Sequence, residues 1–196
     1  MPGERAEDAL DAAGELRRDG LSSVLTQLGE NVTEPAEADR VAEHYAGVLD
    51  RIETRGLDAE ISVKPTHLGL DLDAGRALEN LGRLADRCRG LDRWLWIDME
   101  SSPYVDPTLD LYRALRARHT NVGVCLQAYL YRTADDLAAL LPLRPGIRLV
   151  KGAYSEAEEV AFPRKRDVDE SYTRLADTLL EAQRSGEIRA AFATHD

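Results

Sequence analysis

Short apolar segments alternate with amphipathic helical segments along the whole chain, and this alternation constrains the fold more than any other feature. Strands are predicted at residues 22–28, 60–64, 94–98, 121–127, 147–151 and 189–194, and a helical pattern precedes the first and separates each from the next. Short strands of nearly continuous apolar residues are buried on both faces, which is typical of a parallel sheet covered by helices. The sequence therefore predicts an α/β fold.

Two α/β architectures fit this alternation, a doubly wound sheet and a (β/α)8 barrel. A doubly wound nucleotide-binding sheet predicts a glycine-rich turn after its first strand, but the segment LGENVTEP at 28–35 contains neither G-x-G-x-x-G nor a P-loop. A barrel predicts polar residues at the carboxyl ends of many strands, as found here. Because a full barrel needs about 250 residues, we expect a (β/α)8 TIM-barrel type with about six βα units, an incomplete barrel forming a single domain over residues 1–196.

Polar and ionisable side chains follow all six predicted strands. In a barrel these positions meet at one mouth, where active sites lie. The cations among them, inside an acidic chain, suit an anionic ligand such as a carboxylate, a phosphate or an electron-rich cofactor ring. The strand-end residues are Glu30, Asn31, Lys64, Asp98, Glu100, Gln127, Arg132, Arg148, Lys151, Thr194 and His195.

Charge and composition exclude several classes of protein. A formal charge of −11 argues against nucleic acid as the main partner and against a polybasic membrane anchor. No apolar run approaches the roughly 20 residues of a membrane-spanning helix, and the first residues are too polar for a signal peptide. Cys88 and Cys125 match no metal or redox spacing, so we expect no metal site, two buried thiols and a cytoplasmic protein.

Five motifs carry a resemblance to a known family. SVKPTHLGL, WIDMESS, GVCLQAYLYR, RLVKGAY and FATHD, in this order and at these separations, resemble the strand motifs of proline dehydrogenases. The resemblance implies an FAD-dependent distorted (β/α)8 barrel that oxidises L-proline to Δ1-pyrroline-5-carboxylate, the first step of proline catabolism. It also implies electron transfer to a membrane quinone, and hence a peripheral contact with the inner face of the membrane.

The resemblance also implies roles for residues at matching positions in the substrate pocket. Lys64 would hold the proline carboxylate as a point charge. Asp98 would orient neighbouring groups, and Arg148 would lie against the isoalloxazine near N5, where a fixed cation favours the reduced flavin. Tyr154 would close the inner side of the pocket. The implied reaction is hydride transfer from proline C5 to flavin N5.

Further matching positions would bind the cofactor. The amide of Gln127 would hydrogen-bond the pyrimidine edge of the flavin. Val150, Lys151, Gly152 and Ala153 would line the flavin together with Arg148, and Gly152 would allow a close backbone approach. Thr194 and His195 would meet the ribityl, phosphate or adenine part of FAD.

The sequence departs from the family pattern after its sixth predicted strand. The family's last two strands and final helix, which supply an arginine pair and a tyrosine for the substrate, have no counterpart here. Strands one and six would then be open edges. We expect either a fragment of a longer protein or a chain that completes itself by association. The fragment is favoured because nothing in the sequence protects those edges, and such a fragment is expected to lack normal activity.

Two other functions remain open at the level of sequence. A Schiff-base lyase or aldolase could use Lys64 or Lys151 as its amine in an electropositive pocket. A non-catalytic barrel remnant would bind or assemble with a partner without turning over a substrate.

Overall fold

The computed structural model describes residues 3, 5–186 and 188–194, which form six strands and six α-helices. The strands are β1 (Ser23–Leu25), β2 (Ala59–Val63), β3 (Leu95–Ile97), β4 (Val122–Gln127), β5 (Gly146–Val150) and β6 (Arg189–Phe192). The helices are α1 (Ala6–Arg18), α2 (Pro35–Thr54), α3 (Ala74–Gly90), α4 (Val105–Arg116), α5 (Thr133–Leu140) and α6 (Lys165–Arg184). Short 3₁₀ helices span Thr66–Leu68, Ser102–Tyr104 and Leu141–Leu143. Each predicted strand therefore overlaps an observed one.

The strands stand in the sheet in chain order, from β1 to β6. The pairs β1–β2, β4–β5 and β5–β6 are parallel. A doubly wound sheet reverses its strand order at a switch point, whereas a (β/α)8 barrel does not. The predicted fold class, a (β/α)8 type with about six units, is confirmed.

The chain divides into two compact units. The first unit comprises Met1–Trp96 and His119–Asn121, and the second comprises Ile97–Arg118 and Val122–Asp196.

The first unit is built around the apolar stripe of α2. Pro at the first helical position starts this helix, and apolar residues at helical spacing form its buried face. The Tyr45 hydroxyl accepts from the Gln27 backbone N–H at 2.9 Å and donates to the Ser62 carbonyl at 3.1 Å. It therefore ties the segment after β1 to β2. The buried stripe consists of Val41, Tyr45, Val48, Leu49 and Ile52.

The second unit contains β4, β5 and β6, and the register of β4 and β5 separates two kinds of side chain. Cys125 is paired with Arg148, and Gln127 with Val150. Because paired residues of parallel strands share a face, these four lie on one face of the sheet. The other face is apolar and buried, and it consists of Val124, Leu126, Ile147 and Leu149. This alternation places the polar groups of β4 and β5 together.

Candidate active site

A largely buried ion pair joins two of the predicted site residues in the second unit. The Arg148 guanidinium on β5 donates to the carboxylate of Asp98, the residue that directly follows β3. Their side chains are only 17% and 15% exposed. Burial acts to lower the pKa of Arg148, but Cys125 and Asp98 outweigh burial and raise it. The structure therefore holds a fixed cation at mid-strand, with its counter-ion supplied by the neighbouring loop.

Cys125 lies beside this cation. It is 5% exposed and pairs with Arg148 in the strand register. Burial raises the pKa of the Cys125 thiol, and the Arg148 charge opposes that shift. Cys88 is also buried, and burial raises its pKa to about 12. The prediction that both cysteines are buried is confirmed.

Gln127 ends β4 with its side chain buried and half of its amide engaged. Its side-chain Nε2 donates to the Met99 carbonyl at 3.3 Å, and its backbone carbonyl accepts from the Thr133 hydroxyl at 2.5 Å. Its Oε1 is buried and accepts no hydrogen bond from any residue that the structure describes. A buried acceptor without a donor costs about 1–3 kcal/mol, so this oxygen is suited to a donor on a ligand.

Lys151 is engaged by α6. Its ammonium donates to Asp169 at 2.5 Å and lies 5.9 Å from the centroid of the Tyr172 ring. The structure thus places Lys151 against a helix carboxylate, whereas Arg148 is bound by the carboxylate that follows β3.

The backbone after Lys151 turns sharply at Gly152. Its φ is +121°, and a Cβ there would lie 2.4 Å from Cδ1 of Tyr129. The glycine is therefore required by the Tyr129 ring that packs on it, whether or not a cofactor also approaches. The residues that follow, Ala153 and Tyr154, are exposed and half-buried respectively.

In the first unit, Lys64 follows β2 and forms an ion pair with Glu30. Their charged atoms, Nζ and Oε1, are 2.9 Å apart, and the side chains are 17% and 35% exposed. Next to Glu30, the backbone N–H of Asn31 donates to the Thr66 hydroxyl at 3.0 Å. The structure thus brings together three strand-end residues of this unit, Lys64, Glu30 and Asn31.

Comparison with known proteins decides the family. The model of the proline dehydrogenase family matches residues 9–196. This chain belongs to the proline dehydrogenase family. It is 37% identical over 196 residues to proline dehydrogenase 1 of Bacillus subtilis subsp. natto, covering 100% of this chain and 64% of that protein. The proline dehydrogenase of Deinococcus radiodurans is 36% identical, with the same coverage of 100% and 64%. The chain thus spans less than two thirds of these relatives.

Solved structures agree on the fold of this proline dehydrogenase chain. Proline utilization A (PutA) from Bdellovibrio bacteriovorus, inactivated by N-propargylglycine, superimposes with a TM-score of 0.88 at 23% identity, covering 100% of this chain and 25% of that one. The D778Y mutant of PutA from Bradyrhizobium japonicum gives a TM-score of 0.82 at 26% identity, covering 98% and 23%. The resemblance drawn from the five motifs is therefore confirmed.

Of the two remaining predicted site residues, only Thr194 is described, and it follows β6. Thr194 is exposed, and the N–H of Ala193 still donates to the Leu149 carbonyl of β5 at 2.9 Å. His195 lies outside the described residues. In the part of the chain that the structure describes, no helix is long and apolar enough to cross a membrane.

Sequence reasoning missed Tyr129 and Glu156. Tyr129 packs on Gly152, and Glu156 accepts two hydrogen bonds from Ser102. The signal for Tyr129 was its place two residues after Gln127 in GVCLQAYLYR. Glu156 carried no comparable signal, because it stands in an acidic run that is typical of a solvated loop.

Proposed function

We propose that the protein carrying this chain is an FAD-dependent proline dehydrogenase that oxidises L-proline to Δ1-pyrroline-5-carboxylate. Family membership supports the proposal, as do relatives that bear this name. The observation that carries it is the arrangement of one sheet face. There a largely buried, charged Arg148 lies on the strand next to Gln127, whose amide oxygen accepts no hydrogen bond from any described residue.

The residues on this face fit the isoalloxazine of FAD. The pyrimidine edge of a flavin offers an N–H donor, which is what the Gln127 oxygen lacks. A fixed cation such as Arg148 favours the more anionic reduced ring. Val150 and the segment 151–153 would line the ring, and Thr194 would meet the more distant part of the cofactor. FAD, when bound, supplies the acceptor for the hydride that leaves proline C5.

The other side chains bind and orient the substrate. The Lys64 ammonium would hold the proline carboxylate by charge, with Glu30 as its partner in the absence of substrate. Asp98 keeps the Arg148 guanidinium in one position, so that its charge need not reorganise during the reaction. Tyr154 would close the inner side of the substrate pocket. The proton on the substrate nitrogen leaves as the ring C=N bond forms, which balances the two-electron oxidation.

The electron acceptor of the second half-reaction is proposed to be a membrane quinone. The protein would then be cytoplasmic and meet the inner face of the membrane as a peripheral partner. What supports this is the family resemblance.

A Schiff-base lyase gains no support from either candidate lysine. Lys64 is paired with Glu30 and Lys151 with Asp169. An ion-paired ammonium has no lone pair with which to attack a carbonyl carbon, so neither lysine is presented as a nucleophile.

Anaerobic reduction tests the proposed function. The protein carrying this chain is loaded with FAD, and L-proline is added while the visible absorbance of the flavin is followed. We expect L-proline to bleach the flavin and D-proline to leave it oxidised. A bound flavin that stays oxidised under saturating L-proline would contradict the proposal.

A further inference from the structure

Tyr129 fastens both ends of the β5–α6 loop, residues 151–164. Its backbone N–H donates to the Lys151 carbonyl at 2.9 Å, and its carbonyl accepts from the Phe162 N–H at 2.8 Å. Between these two points its ring packs on Gly152, leaving no room for a Cβ. Tyr129, which lies just after β4, therefore joins the beginning of the loop to its end.

Glu156 connects the middle of the same loop to the residues after β3. Its Oε1 accepts from the Ser102 backbone N–H at 2.7 Å, and its Oε2 accepts from the Ser102 hydroxyl at 2.6 Å. Both bonds are charge-assisted, and the carboxylate is half-buried. Such a bidentate contact fixes the direction of the carboxylate as well as its position.

The charge of the same carboxylate also acts on the Tyr129 hydroxyl, which is buried and makes no hydrogen bond with any residue that the structure describes. Burial, and then the nearby Glu156 charge, raise the pKa of Tyr129 to about 12, while the Tyr154 backbone amide acts in the opposite direction. Tyr129 is 8% exposed. Glu156, Ser102 and Tyr129 form one cluster, here called the Glu156 tie.

The tie joins three loops that each carry a predicted site residue. Ser102 lies four residues after Asp98, Tyr129 lies two residues after Gln127, and Glu156 lies two residues after Tyr154. The loops after β3 and β4 are also joined directly, through the Gln127 amide and the Met99 carbonyl. The three loops are therefore hydrogen-bonded to one another.

We propose that Glu156 is a positioning residue, which holds the segment 152–154 in the conformation that lines the cofactor and the substrate. The inference rests on the proposed function, since it presupposes that this segment meets FAD and proline. Glu156 itself touches neither. It acts through its two hydrogen bonds with Ser102 on the β3 side. On the β4 side, Tyr129 holds the same loop by its backbone hydrogen bonds to Lys151 and Phe162 and by the ring that packs on Gly152.

Two measurements on one set of variants test the proposal. The first is hydrogen–deuterium exchange of the backbone amides of residues 152–154 without FAD, and the second is the FAD dissociation constant of the same protein. We expect Glu156→Ala to speed exchange and to weaken FAD binding about tenfold, which corresponds to about 1.4 kcal/mol of lost preorganisation. Glu156→Gln keeps an acceptor for the Ser102 N–H and should restore most of the affinity.

The matched control is Glu159→Ala on the same loop, because the Glu159 side chain is exposed. It should leave both the exchange rate and the FAD affinity unchanged. Should Glu156→Ala fail to fold, Ser102→Ala removes only the hydroxyl donor. A weakening of FAD binding of about threefold is then expected, about half of the full free-energy change.

Each other outcome overturns a distinct claim. The first outcome is an unchanged exchange rate at 152–154 in Glu156→Ala, or in Ser102→Ala if Glu156→Ala does not fold. It overturns the claim that the Glu156 tie restrains this segment. Faster exchange with wild-type FAD affinity shows a loop contact of structural importance only, which overturns the positioning role. A wild-type protein that binds no FAD overturns the proposed function, and the positioning role with it, even where the exchange result matches expectation.

Discussion

At the scale of single residues, the energetics of Arg148 dominate the candidate site. A guanidinium at mid-strand loses most of its hydration, and only a well-placed carboxylate compensates for that loss. Asp98 supplies it, and the pKa of Arg148 is raised despite burial. Loss of the partner would leave a buried charge without compensation.

Asp98→Ala should therefore lower the free energy of unfolding by about 3 kcal/mol. Asp98→Asn should lower it less, because its amide oxygen still accepts from Arg148. The control is Glu170→Ala, which removes an exposed pair with Arg166 and should change stability by less than about 1 kcal/mol. Urea denaturation of the three variants measures this, and equal losses in Asp98→Ala and Glu170→Ala would contradict a buried pair.

Sequence reasoning singled out Asp98 and Gln127 because a polar residue at the end of an apolar strand stands out locally, and Arg148 because a cation within an apolar strand does. Their roles in the site stay predictions. Sequence reasoning did not locate Tyr129 or Glu156. Their importance arises from Gly152 and Ser102, which are distant in the chain and become neighbours only through the fold. Lys151 was predicted as a site residue, but its partner Asp169 lies on a helix and could not be inferred from the strand alone.

At the scale of elements, the strands follow the predicted pattern and differ mainly in their ends. The first strand was predicted at 22–28, but β1 spans only Ser23–Leu25. The reason is that the Gln27 N–H donates to the Tyr45 hydroxyl of α2 at 2.9 Å, so its backbone leaves the β-ladder. A side-chain acceptor on a helix cannot be read from the periodicity of a strand.

The turn after β5 offers a second prediction at this scale. Gly152→Ala introduces a Cβ at φ +121° and 2.4 Å from the Tyr129 ring, so we expect it to destabilise the fold by about 2–3 kcal/mol. Gly20→Ala is the control, because Gly20 has φ +77° and no atom within 4 Å of its added Cβ. It should show only backbone strain, about 1 kcal/mol.

The double variant Tyr129→Ala with Gly152→Ala separates the two contributions. Once the ring is removed, the added methyl should cost less than it does in the single variant Gly152→Ala, because only the backbone strain at φ +121° is left. Thermal unfolding of the wild type, Tyr129→Ala, Gly152→Ala and the double variant gives the coupling free energy between the two substitutions. If the destabilisations of the two single variants simply add in the double variant, the Tyr129 ring is not the reason that residue 152 must be glycine.

At the scale of the whole molecule, the strand–helix periodicity, the lack of a glycine-rich motif at 28–35 and the polar residues at the strand ends were enough to predict the fold class. The strand order in the sheet agrees with it. The five motifs were enough to predict the family, whose model matches residues 9–196. The single-domain organisation over residues 1–196 stays a prediction, as do the roles of the site residues. Within the second unit, the loops after β3, β4 and β5 converge on one another, and this convergence is a property of the fold that no single segment reveals.

The most direct test is the distance from the Gln127 Oε1 to the pyrimidine N–H nitrogen of the flavin, in a crystal structure of the FAD-loaded protein. We expect a hydrogen bond of about 2.9 Å, with the Arg148 guanidinium against the same ring. A flavin bound elsewhere, with the Gln127 oxygen still lacking a donor, would contradict it.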